Sequence, residues 1–305
     1  MSLSIKKCIK EIIRTGLKES LKIDGIPLMN EFMGILSGRL GVRMESSLLD
    51  VLFLSEKRKN LLLLLLEGPR NIEEIKNTLE VRSSPIMTQI KILMKHDLIV
   101  ESNRIYKLSS IGEILVPKMK TILETFNVFD KNHDYWINQD MISIPPEFLD
   151  QIGKLGNYIE VNPDRNHVFE YPREVVKYLS ESKNVMISSS FFLPIYPSLC
   201  IELAAKGTEI NLVFTEYVFD RMLNDYKQEL EHFLNLKYTR LYVCNNNNMK
   251  IASSIVTEKF IALSLFCNSG IYYNHNLISF DESALKWGKE LFYHYKNLAR
   301  LITKV

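Results

Sequence analysis

Six consecutive leucines, Leu61 to Leu66, constrain this chain more than any other feature. They form its longest apolar run, well short of the roughly 18 residues that a membrane-spanning helix needs. The run must therefore be buried in a protein core. Polar Ser55-Glu56-Lys57-Arg58-Lys59-Asn60 precedes it and Glu67-Gly68-Pro69 comes after it. Gly at a helix end with Pro just beyond is a stop signal. The pattern predicts one helix from Leu48 to Leu66 with a largely buried second half.

Residues 71–126 have the spacing of a small helical domain. Asn71 with Glu74 three residues on is a capping-box pattern, opening a helix whose apolar face is Ile72, Ile75 and Leu79. Ser83 or Ser84 caps the next helix, with Pro85 in its first turn, running to about His96. Ile86, Ile90, Leu93 and Met94 are expected to face inward. Residues 97–101 and 105–108 read as two strands around a turn at Ser102-Asn103-Arg104. Ser109 or Ser110 then caps a long amphipathic helix from Ile111 to Phe126. Three helices and a hairpin make a winged helix-turn-helix. In that shape a short polar helix enters the DNA major groove. Ser83, Ser84, Thr88 and Gln89 are the expected base readers, and Arg82, Lys91, Lys95, Asn103 and Arg104 the expected backbone contacts.

Charge supports this only weakly. The chain has 38 Lys+Arg and 36 Asp+Glu, a net of +2. Residues 1–43 carry 8 basic and 4 acidic residues, residues 44–120 carry 12 and 10, and residues 121–305 carry 18 and 22. A basic first part is thus averaged with a mildly acidic remainder. DNA affinity is expected to rest on a few placed cations, on dimerisation and on the basic extension, not on a general basic field. Residues 1–43 read as a helical extension: Ile5, Ile9, Ile12 and Ile13 share a face opposite Lys6, Lys10 and Arg14. It can dock on its own protein or a dimer partner, or lie on a membrane surface. Met44 precedes a self-sufficient unit and is a candidate native start.

After residue 126 the pattern changes. Residues 127–165 read as a connector with a short helix near 147–155. From about residue 166 to 305, strands at 185–188, 209–215 and 241–244 alternate with helices at 198–206 and 217–233. A hairpin over 251–256 and 260–266 comes next, and then a closing helix from Ser283 to Ile302. This is an open α/β sheet. Ligands of such sheets bind beyond strand carboxyl ends. Ser188, Ser189, Ser190, Phe191, Tyr196, Thr215, Tyr272 and Tyr273 are therefore the expected effector-binding residues.

The stretch "LSEKRKNLLLLLLEGP", the helix "PIMTQIKILMKHDLI" and the later "ISSSFFLPIYPSLCIELAAKGTEINLVF" resemble archaeal winged-helix regulators of the methanogenesis-regulator type, over residues 46 to 303. The resemblance implies a dimeric regulator of methanogenesis genes that binds double-stranded DNA. The second half also loosely resembles a phospholipase-D-like half-domain. Catalysis there needs a His and a Lys two apart on one strand. None of His96, His133, His167, His232, His275 and His294 is read as half of such a pair, so that half-domain is expected to be catalytically degenerate and the chain not an enzyme. A degenerate phosphodiesterase or a purely protein-binding scaffold are the alternatives. No cofactor motif appears. Cys8, Cys200, Cys244 and Cys267 lie too far apart for a metal or disulfide framework. A cytoplasmic protein with no membrane span is the simplest expectation.

Overall fold

The computed structural model describes residues 47–163 and 173–304. The expectations for residues 1–43, Met44 and His167 lie outside them.

The leucine run is buried as expected, but the helix carrying it is shorter. Instead of one helix there are two, α1 (Leu48–Phe53) and α2 (Glu56–Leu66). Ser55 causes the break: its hydroxyl accepts the Arg58 N–H and restarts the helix. β1 (Arg70–Asn71) and α3 (Ile72–Leu79) come next, with the Asn71/Glu74 capping box formed in both directions. α4 (Ser83–Lys95) is capped neither by Ser83 nor by Ser84; its N-cap is Arg82, which makes no side-chain capping bond. Met94, expected inside, is exposed, because at 3.6 residues per turn it lies off the Ile86–Ile90–Leu93 stripe. β2 (Ile99–Ser102) and β3 (Ile105–Leu108) form the hairpin, and β1 adds to its far side in the order β1-β3-β2. Residues Val51 to Met119 bury one continuous core.

α5 (Ser110–Lys131) is capped by Ser109 and extends past Phe126. At 1.5 Å per residue its 22 residues span about 33 Å. Its first turns are clamped by Gly112, where a Cβ would stand 2.1 Å from the Leu98 carbonyl oxygen. Val116 and Met119 belong to the winged-helix core, whereas Val128 belongs to the core of the second half. One helix is thus built into both.

The stretch expected as a connector is largely structured. α6 (His133–Asn138), α7 (Pro146–Leu149), a 3₁₀ turn at Ile152–Leu155 and β4 (Tyr158–Val161) bury Tyr135, Trp136, Ile144, Phe148, Ile152, Leu155 and Tyr158. Its aromatics are core residues, which a composition rich in Asn, Asp and Pro conceals. Among the described residues there follow α8 (Arg173–Ser180), β5 (Asn184–Ser189), α9 (Tyr196–Ala205), β6 (Glu209–Thr215), α10 (Glu216–Asp225), α11 (Lys227–Asn235), β7 (Thr239–Cys244), β8 (Ser253–Thr257), β9 (Ile261–Ser264), β10 (Asn276–Ser279), α12 (Glu282–Asn297) and β11 (Ala299–Ile302). The helix expected over 217–233 divides at Tyr226, and the closing helix yields its last residues to β11.

The eight strands are ordered β11-β7-β6-β5-β8-β9-β10-β4. β5, β6 and β7 are parallel, joined by helical crossovers, and the other pairs are antiparallel. α8 to α11 cover one face. α12, α6, α7 and the end of α5 cover the other.

Candidate nucleic-acid interface and sheet-end site

On α4, Ile86, Ile90 and Leu93 are fully buried. Successive helical residues turn by about 100°, so Ser84, Thr88, Lys91 and Lys95 form the stripe directly opposite. All four are exposed. The Thr88 hydroxyl donates to the Ser84 carbonyl at 3.2 Å and keeps its lone pairs outward. Ser83 and Arg82 are exposed beside the N-terminus. α4 contains no acidic residue. α1, α2, α3 and α5 all have a capping side chain on their first N–H groups, but α4 has none. Its N-terminal amides and positive dipole end therefore face outward without a side-chain anion or hydroxyl over them, a geometry suited to phosphate.

Gln89 is different. It lies on the flank of the stripe and is half-buried. Its Oε1 accepts from Arg58 Nη1 at 3.2 Å, while the same guanidinium donates to the carbonyls of Val51 (2.8 Å) and Asp50 (3.1 Å). Arg58 thus closes the α1–α2 corner onto α4. An amide reads adenine through its oxygen and nitrogen together. With its oxygen already accepting from Arg58, Gln89 has its amide nitrogen, a donor, as its unshared group. Sequence patterning could not reveal this, because Arg58 and Gln89 are 31 residues apart.

The wing tip places Asn103 and Arg104 at φ +53° and +63°. Two successive left-handed residues define the type I′ turn whose twist suits a two-residue hairpin. Asn tolerates that backbone; Arg does so at a cost. Both side chains are exposed.

The expected effector residues do not converge. Side chains alternate across a sheet. Ser188 therefore shares the face of Met186, and Thr215 that of Val213, both beneath α12, whereas Ser189 shares the opposite face with Ile187. Ser188 Oγ and Thr215 Oγ1 are buried without a hydrogen-bond partner. On the other face, the Tyr196 hydroxyl donates to Ser189 Oγ at 2.9 Å, and Ser189 Oγ lies 2.7 Å from the Phe191 carbonyl oxygen. Ser190 Oγ donates to the Ile251 carbonyl at 2.7 Å. Phe191, Phe266 and Tyr272 close the strand end as an aromatic triangle, with Phe191 and Tyr272 ring centres 4.5 Å apart. Tyr272 donates to Asn274 Oδ1 at 2.8 Å, and burial pushes its phenol well above the ordinary tyrosine value. Ser189, Ser190, Phe191, Tyr196 and Tyr272 are thus parts of a packed corner, and Ser188 and Thr215 are buried on the opposite face. Only Tyr273 faces open space.

That space is a cleft of about 600 Å³ beside α6, β4 and the loop before β10. Asp134, Tyr135, Glu160, Cys267, Tyr273 and His275 line it, with four amide side chains between them. Glu160 Oε2 accepts from Asn132 Nδ2, and its Oε1 is 3.9 Å from His275 Nδ1. At the rim, slight burial raises the Cys267 thiol, but the Ser269 hydroxyl 2.9 Å away and neighbouring backbone N–H groups outweigh it and lower its pKa. The buried thiols differ: burial pushes Cys200 up to about 12 and Cys244 up to about 11.

A His-x-Lys spacing does occur, at His294 and Lys296, against the expectation that no histidine carries it. It lies on α12, where residues two apart diverge by about 200°. His294 Nδ1 lies 3.2 Å from Glu147 Oε1, and the Lys296 ammonium lies over the Tyr242 ring. The two do not form a catalytic pair. Among the described residues, no group of three or more His, Cys, Asp or Glu is placed to hold a metal, and no helix is long and apolar enough to cross a membrane.

Comparison with known proteins connects both halves to one family. Residues 46–127 match the model described as Methanogenesis regulatory protein FilR1, N-terminal domain, and residues 168–298 match its middle domain. Methanogenesis regulatory protein FilR1 of Methanothrix harundinacea (strain 6Ac) is 28% identical over 253 residues, 81% of this chain and 56% of that protein. The chain thus spans little more than half the length of this curated relative. Among solved structures, TrmBL2, an archaeal chromatin protein with a novel mode of DNA binding, aligns at TM-score 0.39 and 13% identity over 89% of this chain and 99% of its own. Nuc, a phospholipase D family member from Salmonella typhimurium, aligns at 0.32 and 13% over 42% and 88%. Likenesses this distant carry no weight beside the family match. The chain belongs to the family of methanogenesis regulatory proteins typified by FilR1.

Proposed function

We propose that this protein is a cytoplasmic, non-enzymatic transcriptional regulator of methanogenesis genes that binds double-stranded DNA through residues 44–126 and responds to a small effector through residues 166–305. Residues 127–165 couple the two. The observation that carries the reading is the acid-free outer stripe of α4, Ser84-Thr88-Lys91-Lys95, beside an N-terminus without a side-chain cap. α4 enters the major groove, with Ser83, Ser84 and Thr88 at base edges and Gln89 contributing a single donor. Arg82, Lys91, Lys95 and the wing residues Asn103 and Arg104 hold phosphates.

The protein acts as a homodimer. α5 supports this: Ile111, Ile114, Ile122 and Phe126 are exposed and recur on one side of the helix. A second copy would cover that stripe and place two copies of α4 on successive major grooves.

The test is fluorescence anisotropy with DNA from upstream of methanogenesis genes, across a salt series. Lys91→Ala should weaken binding to all sequences and flatten the salt dependence, whereas Thr88→Val should lose about 1–3 kcal/mol of discrimination at one base pair. Gln89→Ala should cost less discrimination than Thr88→Val. Binding indifferent to both Lys91→Ala and Thr88→Val would refute the reading.

A further inference from the structure

We propose that the cleft formed by α6, β4 and the loop before β10 binds a small organic cation of the alkylammonium class. Its volume, about 600 Å³, is that of a small-molecule site. Its lining decides the charge of the occupant. Among the described residues that line it, Asp134 and Glu160 are the charged groups and none is Lys or Arg. A phosphorylated or carboxylated ligand would meet two carboxylates and nothing fixed and positive to balance it. Glu160 has a partner for one oxygen, the Asn132 amide. Its other oxygen faces His275 Nδ1 at 3.9 Å, beyond hydrogen-bonding range, and is available to a ligand N–H.

The wall adds aromatic faces. Tyr273 and His275, with ring centres 6.0 Å apart, both line it. Tyr135 lines it too, only 5% exposed and with a hydroxyl that has no hydrogen-bond partner. Burial, and then the negative charge of Glu160, hold that phenol neutral. Carboxylate charge combined with aromatic faces is the chemistry that recognises alkylated ammonium groups. A bare metal ion is a poorer fit, because no three carboxylate, thiol or imidazole groups converge among the described residues.

The place of the cleft gives binding a consequence. Asn132 is the shared junction residue of α5 and α6, and its Oδ1 also caps α6 by accepting from Tyr135 N. A bound cation would bridge α6 to β4 and the β10 loop and so fix the sheet-side end of α5. The other end of α5 lies in the winged-helix core. Ligand and DNA would then bias one rigid element, the condition for coupled binding; this last step rests on the DNA-binding reading.

The experiment uses the full chain without DNA. Tryptophan emission, to which Trp136 next to Tyr135 contributes, and thermal unfolding are followed with tetramethylammonium and butylammonium chloride, against sodium chloride at equal ionic strength. Inorganic phosphate and magnesium chloride are run alongside. The expected result is a saturable response to an ammonium salt alone, weakened at least tenfold in Glu160→Gln and in the exposed variant Asp134→Asn, with Cys267 alkylation slowed at saturation. No saturable response, an equal response in both variants, or saturation by phosphate or magnesium instead would overturn the site. In a second arm, saturating ammonium should change DNA affinity at least threefold. Saturable binding with unchanged DNA affinity would support the site and overturn its regulatory role.

Discussion

Replacing Arg104 with glycine should move stability and DNA binding in opposite directions. Arg104 holds φ +63° at the second central position of a type I′ turn, after Asn103 at +53°. A left-handed backbone costs an ordinary L-residue about 1–2 kcal/mol. Glycine removes that cost but adds about 0.4–1 kcal/mol of unfolded-chain entropy. The net for Arg104→Gly is about 0.5–1 kcal/mol of added stability, and the resulting Asn-Gly is the favoured I′ pair. Urea unfolding should show a higher midpoint with an unchanged slope. Among the described residues, the exposed guanidinium makes no hydrogen bond or ion pair that offsets the gain. On DNA, the proposed dimer should lose two phosphate contacts. Each contributes about 0.9 to the slope of log affinity against log salt, so the slope should fall by about 2. Arg104→Lys keeps both the charge and the backbone cost, and should match the parent in both assays. An Arg104→Gly protein that is less stable, or whose salt slope equals the parent's, would refute the argument that this residue is retained for its charge against its backbone preference.

Arg58→Met removes three hydrogen bonds, to Val51, Asp50 and Gln89, and should cost about 2–4 kcal/mol in urea unfolding. It also releases Gln89 Oε1, so base preference at one operator position should shift when binding is selected from randomised sites. Glu258 gives a pH signature. Burial raises its pKa, but the N–H groups of Lys183, Glu258 itself and Asn184, with the Lys259 charge, outweigh that and leave it lowered. A carboxylate lowered on folding stabilises above its unfolded pKa and loses that contribution as pH falls through the folded value. The stability gap between the parent and Glu258→Gln, read from chemical-denaturation midpoints, should therefore be widest near pH 7 and narrow as pH falls below the ordinary glutamate range through the lowered folded value.

Much of the winged helix was legible because its signals are local. The Asn71/Glu74 box, the Gly68-Pro69 stop and the Asn103-Arg104 turn each act within four residues, and each appears in the structure. The break at Ser55 was missed because an unbroken apolar pattern outweighed one capping serine. β4, β10 and β11, four residues each, were missed because so short a strand gains its stability from its neighbours, not from its own pattern. The structure within residues 127–165 is hidden for the opposite reason: their polar composition conceals Tyr135, Trp136 and Tyr158, which share hydrogen bonds with the Val128 carbonyl or aromatic edge contacts inside the core.

The site divides in the same way. Helical periodicity alone determined that Ser84, Thr88, Lys91 and Lys95 face away from the core, since burial of Ile86, Ile90 and Leu93 settles the opposite side. Which groups converge elsewhere is a matter of long-range register, and only the tertiary structure decided it. Ser188 and Ser189 are neighbours in sequence but point to opposite faces of β5. Asp134, Glu160 and His275 come from three segments up to 141 positions apart and meet because β4 pairs with β10 at the sheet edge while α6 packs beside them. Local patterning dictates which way a side chain faces; the pairing of distant strands dictates what it faces.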